Sequence, residues 1–257
     1  MNFIGKIFCV VLLACFSLLH LTVAFLADRI VGGKPAGKYS APYQVSFRDE
    51  NNSHFCGGAI LNEKWVISAA HCFQNISAFT IVVGTNKLNE GGYVYEVDQV
   101  AEQDFDPKTM EHDLALIKIK DEFKFNDKFL LHPVKAIGLL ETEVQDDEIA
   151  KVTGWGLKKV NDEDSPNDLQ VLKSVTISNL DCEMSWLYFN KIFKTQICTQ
   201  TLGGTGTCMG DSGGPLVINN KLAGVVSFGF PCAVGLPDVF TGVFSYLEWI
   251  KQIINKV

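Results

Sequence analysis

The chain has 257 residues, 47% hydrophobic and 20% charged, a globular composition with room for one large domain or two small ones, and not that of a disordered protein. A formal net charge of -7 lacks the basic surface expected of a nucleic-acid binder. No fixed-period repeat or low-complexity tract points to a solenoid or propeller.

At the start of the chain, Lys6 precedes an apolar run from 7 to 19, and Thr22-Val23-Ala24 places small residues around a cut after Ala24. The run falls short of the roughly 20 residues that span a bilayer, and His20 interrupts it. Residues 1–24 are therefore expected to be a secretory signal peptide, giving a secreted, extracellular protein not held in a membrane. Without residues 1–29 the chain keeps 20 basic and 28 acidic residues, so the acidity belongs to the folded part.

Short segments rich in β-branched and aromatic residues follow at fairly regular intervals: 43–47, 80–83, 93–97, 114–119, 150–153, 216–218 and 222–227. Glycosylation sequons stand at Asn51 and Asn75, both expected at the surface. The acidic, proline-containing stretch 160–168 is expected to be an exposed loop. Only residues 244–256 show helical spacing, through Leu247, Ile250 and Ile253 or Ile254. The sequence thus predicts an all-β body closed by one C-terminal α-helix.

Six cysteines remain after the leader: Cys56, Cys72, Cys182, Cys198, Cys208 and Cys232. An even count in a secreted chain favours disulfides, although their pairing is open at this level. His54, Cys56, His71 and Cys72 lie close in sequence, but the cysteine spacing of a zinc site is missing and the secretory route oxidises thiols. No metal is expected.

Gly210-Asp211-Ser212-Gly213-Gly214 carries the chemistry. A serine hydroxyl is a poor nucleophile until a positioned base takes its proton, and neighbouring glycines let backbone amides approach a developing oxyanion. The same residues fit the nucleophile elbow of α/β-hydrolases, but those enzymes place their histidine after the serine. Here no histidine follows Ser212, which excludes an esterase or lipase of that fold. The leading base is His71 in Ala69-Ala70-His71-Cys72, with His112 its nearest rival, and Asp113 is a polar residue at the head of an apolar strand. The order is histidine, aspartate, serine.

These residues resemble the chymotrypsin-like serine proteases, and the resemblance covers essentially all of 30–257. Ile30-Val31-Gly32-Gly33 after Arg29, Ala69-Ala70-His71-Cys72, Asp113-Leu114-Ala115-Leu116, Gly154-Trp155-Gly156 and Gly210-Asp211-Ser212-Gly213-Gly214-Pro215 stand in family order. The resemblance implies two six-stranded antiparallel β-barrels with the active site between them. It implies His71 as general base, Asp113 as its orienting acid and Ser212 as nucleophile, with the amides of Gly210 and Ser212 as oxyanion hole. Ser227, Phe228 and Gly229 resemble the segment that pairs with substrate backbone. The family pattern also implies the disulfides Cys56–Cys72, Cys182–Cys198 and Cys208–Cys232.

By the same resemblance, 25–29 is an activation propeptide, cut after Arg29 by a trypsin-like protease so that the new terminus of Ile30 pairs with Asp211. Protein and peptide substrates, and protein protease inhibitors, are the expected partners. Thr85 stands where calcium-binding trypsins carry glutamate, which speaks against that calcium loop, and no cofactor is expected. No cysteine-rich module precedes residue 30, from which a digestive role is expected.

Gly206 occupies the pocket-base position where trypsin-like members carry aspartate, and Gly229 keeps the pocket mouth open. Cleavage after large hydrophobic or aromatic residues is the expected activity. Asp238 stands at a pocket-wall position that is usually glycine, so the alternative is a mixed-specificity collagenolytic-type protease that also cuts after Lys or Arg. A non-catalytic homologue acting as a binding protein would be expected to show a substituted triad residue, and none is substituted here.

Overall fold

The computed structural model describes residues 31–125, 132–157, 162, 165–200, 204–229 and 232–256. The expected leader and propeptide, Arg29 and Ile30 lie outside the described residues, as does part of the 160–168 stretch. A two-residue strand, β1 (Lys34–Pro35), comes first. It is followed by β2 (Gln44–Arg48), β3 (His54–Ile60), β4 (Trp65–Ser68), β5 (Thr80–Val83), β6 (Tyr93–Glu102) and β7 (Ala115–Ile119). Strands β2-β3-β4-β7-β6-β5 close into an antiparallel six-stranded barrel. Phe47, Ile60, Ile67, Ile81, Leu116 and Ile117 are fully buried within it.

The second barrel is built from β8 (Ile149–Gly154), β9 (Gln170–Ile177), β10 (Gln196–Gln200), β11 (Pro215–Ile218), β12 (Lys221–Phe228) and β13 (Asp238–Gly242). The order β9-β10-β13-β12-β11-β8 closes through the β8–β9 pairing, and β1 adds to β9. Val152, Leu216, Ile218, Val226 and Phe240 form a buried cluster there. Closure leaves neither six-stranded sheet a free edge.

Four of these strands carry no clear apolar alternation in the sequence. β3 is interrupted by Gly57-Gly58, where a Cβ on Gly58 would lie 2.8 Å from Phe47, so glycine is required by packing despite its low strand preference. β9, β10 and β13 contribute buried polar side chains, among them Gln170, Ser174, Thr199 and Thr241.

The expected C-terminal α-helix is present, shorter than 244–256 and accompanied by a second helix. The C-terminus first makes a 3-10 turn over Val243–Tyr246, and the α-helix covers Leu247–Ile254 with Leu247 and Ile250 buried. An additional helix, α1 (Asn179–Trp186), precedes it, so the C-terminal one is α2. Ser178 caps α1 by accepting from Asp181 N–H at 3.0 Å. Only Cys182 and Trp186 of α1 are buried, so it has no apolar stripe for periodicity to detect.

The described end of the expected exposed loop is also not open: Pro166 is buried, and Leu88 N–H donates to Asn167 O at 2.9 Å, which docks it on the first barrel's loops. Among the described residues no helix is long and apolar enough to cross a membrane.

Candidate active site

The histidine lies on a 3-10 turn, Ala70–Phe73, that leaves β4 and is tied to β3 by the Cys56–Cys72 disulfide. Asp113 is fully buried just before β7. Its Oδ1 accepts from His71 N–H at 2.9 Å, and its Oδ2 meets His71 Nδ1 at 2.8 Å. Ser227 Oγ donates to the same Oδ2 at 2.5 Å, and Thr241 Oγ1 donates to Asp113 O at 2.7 Å. The second barrel thus clamps an acid carried by the first. The carboxylate receives three donors, the satisfaction that burial of an ionised group demands.

Ser212 is half-buried in the turn between Cys208 and β11. Gly57 N–H of the first barrel donates to Ser212 O at 2.8 Å, and Gly213 N–H donates to Val226 O of the second at 2.8 Å. At Gly213, with φ +76°, a Cβ would lie 2.1 Å from Ser68 Oγ, so only glycine permits this approach. In the same turn Asp211, Gly213 and Gly214 all donate their N–H groups within the chain. Among the described residues, the N–H groups of Gly210 and Ser212 find no acceptor. Two free, neighbouring amides beside a serine hydroxyl form a place for a negative oxygen.

The Ser212 hydroxyl makes no hydrogen bond to His71 here, and His71 Nε2 lies 3.9 Å from Cys72 Sγ. In unliganded enzymes catalytic hydrogen bonds are often long and tighten only in the substrate complex. Cys56, His71 and Cys72 bring three potential metal-ligand atoms within 4.8 Å, but both sulfurs are spent in one disulfide and no thiolate is available.

Behind the serine, the Asp211 carboxyl is fully buried and accepts from Gly156 N–H at 2.8 Å and Cys208 N–H at 3.0 Å. A Cβ on Gly154 or on Gly156 would come within 2.1 Å of it, which explains the Gly-Trp-Gly motif in packing terms. Burial pushes Asp211 up to about 7. Val31, the first described residue, is bridged to Gly206, whose N–H donates to Val31 O at 3.0 Å.

A cavity of about 230 Å³ opens beside Ser212, lined by Thr207, Met209, Val226, Phe228, Gly229 and the Cys208–Cys232 disulfide, with no charged side chain among the described residues. Asp238 stands behind the wall and is buried. Thr207 N–H donates to Asp238 Oδ2 and Thr207 Oγ1 to Oδ1, both at 2.9 Å. A Cβ on Gly206 would meet the carboxyl at 3.3 Å and one on Gly229 at 3.2 Å, so Asp238 occupies the space that both glycines leave. Burial raises Asp238 to about 6.

Sequence reasoning missed Thr207, whose one signal is a hydroxyl between Gly206 and Cys208. It also missed His54, which joins Ser46 Oγ at Nδ1 (2.9 Å) and Gly210 O at Nε2 (2.9 Å) and so orients the Gly210 peptide. Burial pushes the His54 imidazole down to about 4, which keeps it neutral. Trp186, edge-on to Phe228 at 5.2 Å, links the Cys182–Cys198 disulfide region to the end of β12. Asn51 and Asn75 are both exposed. His112, the rival base, instead hydrogen-bonds Tyr246 OH through Nδ1 at 3.0 Å.

Two closed antiparallel barrels that share an Asp–His pair and a glycine-bound serine define a hydrolase of the chymotrypsin fold. The Trypsin family pattern matches residues 30–250. Over 233 residues the chain is 35% identical to "Trypsin" of Sus scrofa, covering 88% of this chain and 96% of that one. It is 36% identical to "Serine protease 1" of Homo sapiens over 233 residues, covering 88% and 90%. It is 38% identical to "Chymotrypsin-2" of Vespa crabro over 229 residues, covering 87% and 99%. The chain belongs to the trypsin family of serine endopeptidases, which act on protein substrates.

Proposed function

We propose that this chain is a secreted endopeptidase, made as a zymogen, that hydrolyses peptide bonds after large hydrophobic or aromatic residues through an acyl-enzyme. The observation that carries the mechanism is the pair of amides at Gly210 and Ser212, without an acceptor among the described residues, beside the bonded pair of buried Asp113 and His71. Asp113 holds the proton on His71 Nδ1, which leaves Nε2 to take the proton of Ser212 as its oxygen attacks the scissile carbonyl. The carbonyl oxygen turns negative and settles on the two amides. His71 then protonates the leaving amine, and water repeats the sequence on the ester.

The uncharged lining of the cavity supports the specificity. An aromatic ring would fill it without stranding a charge. Both Asp238 oxygens are engaged by Thr207, which turns that carboxylate into part of the wall. Its position between Gly206 and Gly229 favours a second, minor reading in which a basic side chain reaches the remaining lone pairs.

Activation follows from Asp211. Among the described residues no cation faces its buried carboxyl, and Val31, the first described residue, is bridged to Gly206 on the segment that leads to Asp211. Cleavage between Arg29 and Ile30 would free an α-ammonium to pair with it. The three disulfides and the leader-like residues 1–24 support secretion. A fluorophosphonate probe tests the reading: it should attach to Ser212, located by peptide mass mapping, in protein cut at Arg29. Labelling elsewhere, or none, would sink it.

A further inference from the structure

Away from the serine, the first barrel carries a groove of about 800 Å³ between the turn after β2, the segment after His71 and strand β6. Its floor is apolar: Phe73, Ile76, Phe79, Val97 and Val100. Phe73 and Phe79 lie 5.0 Å apart and pack on the fully buried Phe47 at 5.1 and 5.8 Å, so the floor is fixed before anything binds. Its rim is acidic, with Asp49, Glu50, Glu96, Asp98 and Glu102. Among the described residues the lining's one cation, Lys120, is already bonded to Glu96 at 2.8 Å. The potential in the groove is therefore negative beyond what its own side chains compensate.

We propose that this groove docks a basic, apolar-spaced segment of a protein partner, with lysine or arginine side chains meeting the rim and apolar side chains meeting the phenylalanine floor. β6 pairs with β5 over Tyr93–Glu96 and with β7 over Val97–Glu102, so the half that lines the groove is held in the barrel by β7. Recognition through the acidic rim makes docking dependent on charge and salt. Phe73 ends the same 3-10 turn that carries His71, so a docked segment lies next to the cleft and can deliver a protein substrate there.

The probe is a fluorescent peptide of D-amino acids alternating lysine and leucine, which the protease cannot cut. Its binding is followed by anisotropy on the full protein after enzymatic removal of any glycan from Asn51 or Asn75. Binding should weaken about tenfold or more when salt rises from low to physiological strength, and again in the double variant Glu50→Gln, Asp98→Asn. Both carboxylates are exposed, and cleavage of a short chromogenic peptide should be unchanged by the pair. Prior reaction of the serine with a sulfonyl fluoride should leave peptide binding intact. The proposal is overturned if the double variant binds equally well, if a glutamate–leucine peptide binds as tightly, or if the sulfonyl fluoride abolishes binding.

Discussion

Asp113 grips His71 twice, Oδ1 accepting from its backbone N–H at 2.9 Å and Oδ2 meeting its ring Nδ1 at 2.8 Å. One bond fixes where the histidine is, and the other fixes which nitrogen carries the proton. Loss of the second without the first leaves a folded protein with the wrong tautomer.

Asp113→Asn, His71→Ala and Ser212→Ala are each expected to cut kcat by roughly 10⁴-fold or more while leaving the unfolding midpoint of the His71→Ala and Ser212→Ala variants nearly unchanged. Combining Ser212→Ala with His71→Ala should cost little more than either alone. Additive losses in steady-state kinetics would show that the two do not act as one unit.

Cleavage at Arg29 should change how stability depends on pH. In uncut protein Asp211 has a folded pKa of about 7 against an ordinary 3.8, so the folded form holds that proton more tightly and stability falls as pH rises across this window. In cut protein an Ile30 ammonium would offset the charge. The stability gap between cut and uncut Ser212→Ala protein, read by urea unfolding, should widen from about pH 4 to about pH 7. It should close again as the α-ammonium, raised above its usual value of about 7.7–8.0, loses its proton. A gap that stays flat with pH would remove the Asp211 pairing from the account, and an Arg29→Ala chain that activates with trypsin at the normal rate would remove the cleavage site.

Asp238 should make specificity depend on pH. Below about 6 the carboxyl is neutral and offers a basic side chain nothing; above it the carboxylate forms. The ratio of kcat/KM for a lysyl over a phenylalanyl substrate is expected to rise through that pH, and to stay low and flat in Asp238→Gly.

Thr207→Val removes the hydroxyl that donates to Asp238 Oδ1 and so withdraws support from the ionised form. The rise in that ratio should move to higher pH, and the variant should lose about 1–3 kcal/mol of stability at pH 8. An unshifted profile would mean that the hydroxyl does not tune the carboxyl.

The barrels were legible only in part from periodicity. Residues 80–83 match β5 in full, because Ile81, Val82 and Val83 are all buried and bounded by turns. β9 and β13 bury threonine, serine and glutamine beside their apolar residues, and α1 turns almost no apolar face inward, so neither pattern stands out. Motif order placed His71, Asp113 and Ser212 in one chemistry, since glycine beside serine and histidine beside cysteine are chemical constraints visible at short range. The parts that stayed hidden are long-range. Ser227 reaches Asp113 across 114 positions, and His54 reaches Gly210 across 156. Thr207 matters only because Asp238 folds back onto it.

The most direct test of the central claim is cleavage-site profiling of a mixed peptide library by the protein cut at Arg29, with Ser212→Ala as control. Cleavage is expected chiefly after Phe, Tyr, Trp and Leu, with a weaker set after Lys and Arg that grows above about pH 6, and none by the control. Faster cleavage after Lys and Arg than after Phe and Leu, or product from the control, would contradict it.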